Sequence, residues 1–600
     1  MARSMNWQVT TMFPEFGGAA YNEHWQRLES GLERLEAEAS ALGAMTPDNA
    51  REWAQVLVLD EELMQAYSHV GSYVGCLAAA HAKDETYAAE QGRLSALAAR
   101  FTKAFAPVLA ALRTVEDAAF DALLARPELE GAQYALTRLR EEAGRTMDPA
   151  LEVLTAELNV DGLWGWGRLY DDLSSKLEFP MPTDDGEERM TPMAQKRSLL
   201  EDPDPEVRRQ ALESSNRAWE SVEHVAAACL NHISGTRLTL NRHRGVDDFL
   251  TIPCFDAAVD KATVEAMWAE AAKGREIAWR YGRLKAKLLG RKQLGFQDLP
   301  APLPEKLVGR EERRTWDQAV DLVLSAFDAA YPALGGFARE MVDQGRVESE
   351  KRPAKRPGAF CTTSLQTRES RVFMTFGGGL GDVKTLAHEL GHAFHSRILR
   401  DERPFASRYP MTLAETASTF AERLLQDRIL DDPATPDKVR AAVLASRLDD
   451  ALTFLCDIPM RYFFEQSFYE ERKSGEVKLS RIKELMLAAQ DEWFGDVLDQ
   501  DQRDPMFWAS KLHFYITGVA FYNFPYSFGY LLSLWIASEA RSKGQAFLPR
   551  YEDFLRATGS ATAEEGVRAT LGRDLRDPAF WRQGFSIIAD DLKAFEELAG

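Results

Sequence analysis

The stretch Asp382-Val-Lys-Thr-Leu-Ala-His388-Glu389-Leu-Gly-His392-Ala-Phe-His395-Ser-Arg-Ile-Leu399 decides how the rest of the chain is read. Wound as an α-helix, it puts Val383, Leu386, Leu390 and Phe394 on one side as a core stripe. His388, His392 and His395 gather on the opposite side. Asp382 directly follows Gly377, Gly378, Gly379 and Gly381, which makes it the expected N-cap. Pro404 marks the latest stop. Arg397 intrudes on the apolar side, but in the last turn, where a cation is favourable.

His388-Glu389-Leu390-Gly391-His392 has the HExxH form. Two histidines one helical turn apart face the same way, so both imidazoles can reach one ion, and the intervening Glu389 lies near a water bound to that ion. Zinc brings the pKa of such a water toward 7, where a carboxylate can take its proton. By composition alone, a chain of this size shows HExxH on the order of once in a hundred, so context decides. A solvent-facing helix with surface histidines explains the amphipathic pattern. It does not explain why three of the ten histidines share one face.

Two histidines need a third ligand to make a catalytic zinc site. Downstream, Thr412-Leu-Ala-Glu415-Thr-Ala-Ser418-Thr419-Phe-Ala-Glu422 begins a second helix after Pro404 and Pro410. Glu415, Ser418, Thr419, Glu422 and Gln426 form a polar stripe opposite Leu413, Ala417, Phe420 and Leu424. That stripe faces either solvent or a metal. Thr412 and Glu415 also match a capping box, in which Glu415 would close the helix N-terminus. Glu422, two turns on, is either the ligand itself or the group that orients a histidine through its free ring nitrogen. His395 could support substrate, bond a second carboxylate or face solvent.

Around these helices the chain reads as mainly α. Residues 23–124 carry apolar residues at helical spacing, among them Trp25, Leu28, Leu32 and Leu35, and predict two or three long antiparallel helices. Residues 147–177 continue in that style. Residues 179–188, with Pro180, Pro182 and a run of acids, read as a loop and set a boundary between residues 1–185, a helical lobe, and residues 186–600. Strand-like runs at 359–363 and 371–376 form the one clear sheet region. An edge strand over 371–379 would bind an extended peptide through its backbone, and Gly377 and Gly378 would let that backbone come close; an ordinary hairpin turn explains the same residues.

Composition limits the partners. The net charge of −21 argues against nucleic acid, because phosphate would be repelled. No 18 apolar residues run together and no secretory signal opens the chain, so neither a membrane nor export is expected. The five cysteines are scattered, with no CxxC or CxxxC pair, which fits reduced, mostly buried thiols in the cytoplasm. Cys361, closest to the motif, reads as packing. Oligomeric state leaves no mark in the sequence.

A further segment gathers His513 and Tyr515 with Tyr522, Tyr526 and Tyr530. A tyrosine hydroxyl or histidine N–H aimed at the tetrahedral oxyanion of peptide hydrolysis would stabilise it. Aromatic core packing accounts for Tyr515.

Together, 385–395, Ala414-Glu415-Thr-Ala-Ser-Thr419 with Glu422, the tyrosines near Tyr522, Pro357-Gly-Ala-Phe360-Cys361 and Phe376-Gly-Gly resemble the M3 family of zinc metallopeptidases, in its oligoendopeptidase F branch. The similarity runs from about residue 191 onward in order and spacing; the N-terminal third is similar only in being helical. It implies a mainly α fold resembling thimet oligopeptidase and neurolysin, two-lobed with a deep central channel and a small sheet beside the zinc helix. It implies one Zn2+ held by His388, His392 and Glu415, with Glu422 behind them. It further implies Glu389 as the base, and His513 with Tyr522 or Tyr526 at substrate or oxyanion. The activity implied is hydrolysis of internal bonds in short peptides. The rivals are a helical zinc carboxypeptidase, a peptide-binding protein that holds zinc without catalysis, and a structural zinc scaffold. Glu389 between the histidines counts against the second, and the absence of cysteines at ligand spacing counts against the third.

Overall fold

Helices account for most of the chain, as the three- and four-residue apolar spacing predicts. The structure is a computed structural model that describes residues 3–183, 187–310 and 312–600. The chain divides into two compact units, each assembled from three stretches of sequence. The first comprises Met1–Thr146, Glu311–Asp431 and Ile536–Arg573, and the second Met147–Arg310, Asp432–Trp535 and Asp574–Gly600. The expected boundary between residues 185 and 186 lies outside the described residues. Among the described residues, five short strands interrupt the helices: β1 (Glu178–Pro182), β2 (Glu188–Pro192), β3 (Val347–Glu348), β4 (Phe360–Ser364) and β5 (Glu369–Phe373).

In the first unit, the region 23–124 forms three long helices, Ala19–Leu42, Ala50–Ala80 and Glu85–Thr114. Trp25, Leu28, Leu32 and Leu35 are all buried, in one cluster with Trp53, Leu57 and Leu63. An amphipathic stripe of this kind is what drives a surface helix onto a core. The third helix contains no uninterrupted apolar run, since Arg93, Arg100, Lys103 and Arg113 break it. By length and composition it is apolar enough to cross a membrane, over a window of which 28% is buried. Leu94, Leu97, Ala104, Val108 and Leu112 pack inside the unit.

The first unit also holds a sheet in the order β3-β5-β4, with β4 antiparallel and β3 parallel to β5. The run read as an edge strand is therefore the middle one. Arg371, Val372 and Phe373 are all buried, as a strand with neighbours on both sides should be. The outer positions belong to β3 and β4. Both β4 and β5 lie against the helix Leu380–Ile398, which carries the histidine motif.

The second unit corrects another reading. Residues 179–188 are not simply a loop: β1 and β2 pair antiparallel from Glu178↔Pro192 to Pro182↔Glu188. Each strand of a two-stranded sheet keeps an open edge, which tolerates prolines that have no N–H to donate. Phe179 and Met181 alternate with them and are buried with Ala211. Elsewhere in this unit, a single π-turn, Thr453–Asp457, joins the helices Asp437–Leu452 and Ile458–Arg472. It sits just ahead of Pro459, whose missing donor breaks the regular ladder. Arg208 and Asp298 form an ion pair at 2.9 Å with almost no exposure.

Candidate metal centre

The motif helix begins one turn earlier than the residue pattern suggests. Gly379 is its N-cap, and Asp382 sits three residues in. The Asp382 Oδ2 accepts the backbone N–H of Gly377 at 2.8 Å and of Gly379 at 3.1 Å. Two donors left over at the helix start are thereby satisfied. Gly378 has φ of +94°, its carbonyl accepts the Arg314 N–H at 2.9 Å, and a Cβ there would lie 2.9 Å from the Arg314 carbonyl oxygen. Gly378 is thus committed to the turn, whereas Gly377 is exposed.

One turn apart on this helix, His388 and His392 bring their Nε2 atoms to 3.1 Å from each other, with the rings nearly perpendicular. Glu415, on the helix Met411–Asp431, adds an Oε2 at 3.4 Å from His388 Nε2 and 3.5 Å from His392 Nε2. Ligand atoms at tetrahedral zinc distances are separated by about 3.3 Å, so these three have the spacing of donors that share one ion. The two helices come close because residue 391 is glycine. A Cβ there would lie 2.7 Å from both the Ala417 carbonyl oxygen and the Ser418 Cα.

Behind His388 and Glu415 stand groups that aim them. His388 Nδ1–H donates to Glu422 Oε1 at 2.5 Å, and Lys384 Nζ pairs with Glu422 Oε2 at 3.2 Å. The Ser418 hydroxyl donates to Glu415 Oε2 at 2.8 Å. Lys384 was missed in the sequence; its signal is its place one turn before His388 on the same face.

The electrostatics are those of a cation cradle. Burial would lower the His388 pKa, but the hydrogen bond and charge of Glu422, then Glu415 and Glu389, raise it to about 9. Burial would raise the Glu415 carboxyl, yet His392, His388 and the Ser418 hydroxyl bring it down to about 2. Glu422 is likewise held low against burial, by Lys384 and His388. Glu389 differs: burial dominates and pushes its pKa up. It is 5% exposed, and its buried Oε2 has no hydrogen-bond acceptor or donor among the described atoms. Glu389 is thus a carboxylate of raised basicity with an unsatisfied oxygen, next in sequence to His388. The donor set therefore fits a divalent metal.

His395 does not join this group. It is fully buried, stacks on Tyr409 at 4.1 Å, and its Nε2 bonds the Thr558 hydroxyl at 2.8 Å. The three histidines that share a face in the sequence divide in the structure, because the last turn of the helix is covered by the segment around Thr558.

His513, Tyr522 and Tyr526 do meet, in the second unit. The Tyr526 hydroxyl donates to the Tyr522 hydroxyl at 3.1 Å, and the His513 ring stands edge-on to Tyr522 at 4.9 Å. His513 Nδ1 lies 2.6 Å from Asn523 Oδ1, which also faces the Arg461 guanidinium, a donor only. That oxygen must accept from both, so the imidazole proton sits on Nδ1. Burial, with Lys511 and Arg461 nearby, pulls the His513 pKa down to about 4 against the Asn523 bond. The ring is neutral at pH 7, and its Nε2 is an acceptor. Tyr515 is buried and stacks on Tyr170 at 3.6 Å, as core packing requires.

Residues 306–584, which span the motif helix, the Glu415 helix and the tyrosine segment, match the family described as Peptidase family M3; residues 112–179 match that described as Oligopeptidase F. The chain belongs to peptidase family M3. Membership in this metallopeptidase family implies a catalytic metal, and the His388–His392–Glu415 group is a place for it, its ligand atoms all within 4.8 Å of one another. Oligopeptidase PepF of Bacillus subtilis is 22% identical over 99% of this chain and 87% of its own length. The Oligoendopeptidase F homolog of Lactococcus lactis is 22% identical over 100% of this chain and 98% of its own. Among solved structures, a putative peptidase from Chlamydophila abortus superposes with a TM-score of 0.84 at 20% identity, covering 100% of this chain and 99% of that one. That likeness extends the mainly helical peptidase fold to the whole chain.

Proposed function

We propose that this chain is a zinc-dependent endopeptidase of short peptides, with His388, His392 and Glu415 as metal ligands and Glu389 as the general base. The observation that carries the reading is the convergence of two imidazole nitrogens and one carboxylate oxygen within 3.1 to 3.5 Å, next to the unsatisfied Glu389 oxygen. Two histidines and a carboxylate on a helical HExxH frame are the donor set of catalytic zinc. The short-peptide substrate follows the names carried by the relatives, an oligopeptidase and an oligoendopeptidase.

Zinc at this position would polarise the scissile carbonyl and bring the pKa of a coordinated water to about 7. Glu389 takes the proton of the attacking water and later delivers it to the leaving amine. Glu422 holds the His388 ring and Ser418 holds the Glu415 carboxylate, so neither turns away from its task. The family resemblance assigns Tyr522 and Tyr526 as O–H donors for the oxyanion, with His513 as their neighbour and substrate contact. Gly377, exposed at the head of the motif helix, is open to a substrate backbone. Five free cysteines support a reducing compartment, the cytoplasm.

Glu389→Gln tests the reading. It keeps the shape and the ligands, so bound zinc, measured by elemental analysis, stays at one per chain while turnover falls by about 10²- to 10⁴-fold. A variant that still hydrolyses peptide at the parent rate sinks the assignment. Peptides blocked at both ends separate this activity from a carboxypeptidase, which needs a free terminal carboxylate.

A further inference from the structure

Tyr522 is reached through an unusual piece of backbone. Phe521, the residue before it, has φ of +55°. A bulky side chain occupies that left-handed region only where its surroundings over-determine it. Here the surroundings are specific. Glu465, on the helix Ile458–Arg472, is 4% exposed, and its Oε1 accepts the Phe521 N–H at 2.9 Å. Arg237, on the helix Glu223–His243, donates through Nη2 to the carbonyls of Ile516 and of Val519, the latter at 2.9 Å. Its Nη1 donates to the Tyr469 hydroxyl at 3.0 Å. Two side chains from two helices thus satisfy three main-chain groups of one short segment. The Phe521 ring, itself buried, lies parallel to Phe249 at 5.5 Å and packs on Tyr462 and Tyr469.

An acid is a costly choice at this position. Burial raises the Glu465 pKa to about 7 against the pull of the Phe521 N–H and Arg237, and its Oε2 finds no hydrogen-bond partner among the described atoms. Methionine or leucine would fill the same volume without that cost. What only an acceptor provides is the bond to the N–H of the strained residue ahead of Tyr522.

We propose that Glu465, together with Arg237, is a positioning residue for the tyrosine cluster: the pair holds residues 516–523 in the left-handed turn at Phe521 that sets Tyr522 against His513 and Tyr526. This rests on the reading of Tyr522 as a transition-state contact, and the experiment keeps the two apart. The full-length metal-loaded enzyme is compared with Glu465→Gln, Glu465→Met, Arg237→Lys and Tyr522→Phe. Glutamine retains a carbonyl oxygen for the Phe521 N–H; methionine does not. Lysine keeps the charge but cannot span two carbonyls.

Glu465→Met is expected to lose hydrogen-exchange protection across 516–523 and to drop kcat by about 10- to 100-fold. KM stays within about twofold, as befits a lost transition-state interaction. Thermal midpoint and bound metal stay at the parent values. Glu465→Gln restores both exchange and kcat. Should Glu465→Met fail to fold, Arg237→Lys carries the test with the same local signature. Parent-like exchange and kcat in the folded variants, or a uniform fall in stability with no local change in exchange, overturns the proposal. If Tyr522→Phe keeps full turnover while Glu465→Met still frees the segment, the role given to Tyr522 fails and the positioning by Glu465 stands.

Discussion

His388 uses its two ring nitrogens for different tasks. Nδ1 is fixed by Glu422, and Nε2 faces His392 and Glu415. Glu422→Gln keeps the volume but weakens the acceptor and removes a charge. Metal affinity should then fall by about 10- to 100-fold, read by competition against a chelator. The same ring predicts a pH dependence. Its pKa stands near 9, above the ordinary 6.5, so without metal it is protonated at pH 7. Metal must displace that proton from Nε2. Apparent affinity should therefore fall by about tenfold for each pH unit lowered below about 9, and level off above it. A flat profile across the neutral range contradicts the assignment of His388 as a ligand. At this scale the residue pattern left Glu415 and Glu422 interchangeable, and only the family resemblance put Glu415 at the metal. Both lie on one polar stripe, and their side chains choose between metal and imidazole only in three dimensions.

Gly391 governs the approach of two elements. A Cβ on it would collide with the backbone at residues 417 and 418. Gly391→Ala should push the two helices apart, cost about 1–3 kcal/mol and take the Glu415 carboxylate away from the imidazoles. Chemical unfolding and metal analysis would show both losses. Gly381→Ala, on the same helix with nothing within 4 Å of its Cβ, is the control: a change within about 1 kcal/mol, toward higher stability, and full metal content. Periodicity found these helices because it is written in neighbours three and four residues apart. It missed the β1–β2 hairpin because prolines read locally as breakers, while an open-edged pair of strands accepts them. It also took β5 for an edge strand, since its second neighbour, the two-residue β3, is too short to read as a strand in the sequence.

The metal group belongs entirely to the first unit, and each unit has its own buried core. Chelation should abolish peptide turnover while leaving the helical circular dichroism essentially unchanged. Zinc restored at a hundredfold excess over its Kd adds about 2.7 kcal/mol by mass action. Calorimetry should show the thermal midpoint rising with the logarithm of free zinc. Collapse of the helical signal on chelation would mean that the metal builds the fold and does not merely occupy it. Each unit is assembled from three separate stretches of chain, an arrangement that no linear reading of composition or punctuation can find.

The sequence by itself determined that two imidazoles share one helical face with Glu389 between them in the chain, because a turn of helix is local geometry that side-chain order dictates. It also determined the mainly helical architecture. Tertiary structure decided that the Glu415 carboxylate lies within 3.5 Å of both imidazoles, that His395 turns into the core beside Thr558, and that Phe521 is held in a left-handed turn ahead of Tyr522. Those outcomes depend on which surfaces of distant segments meet and how closely, and that is set by packing between residues far apart in the chain.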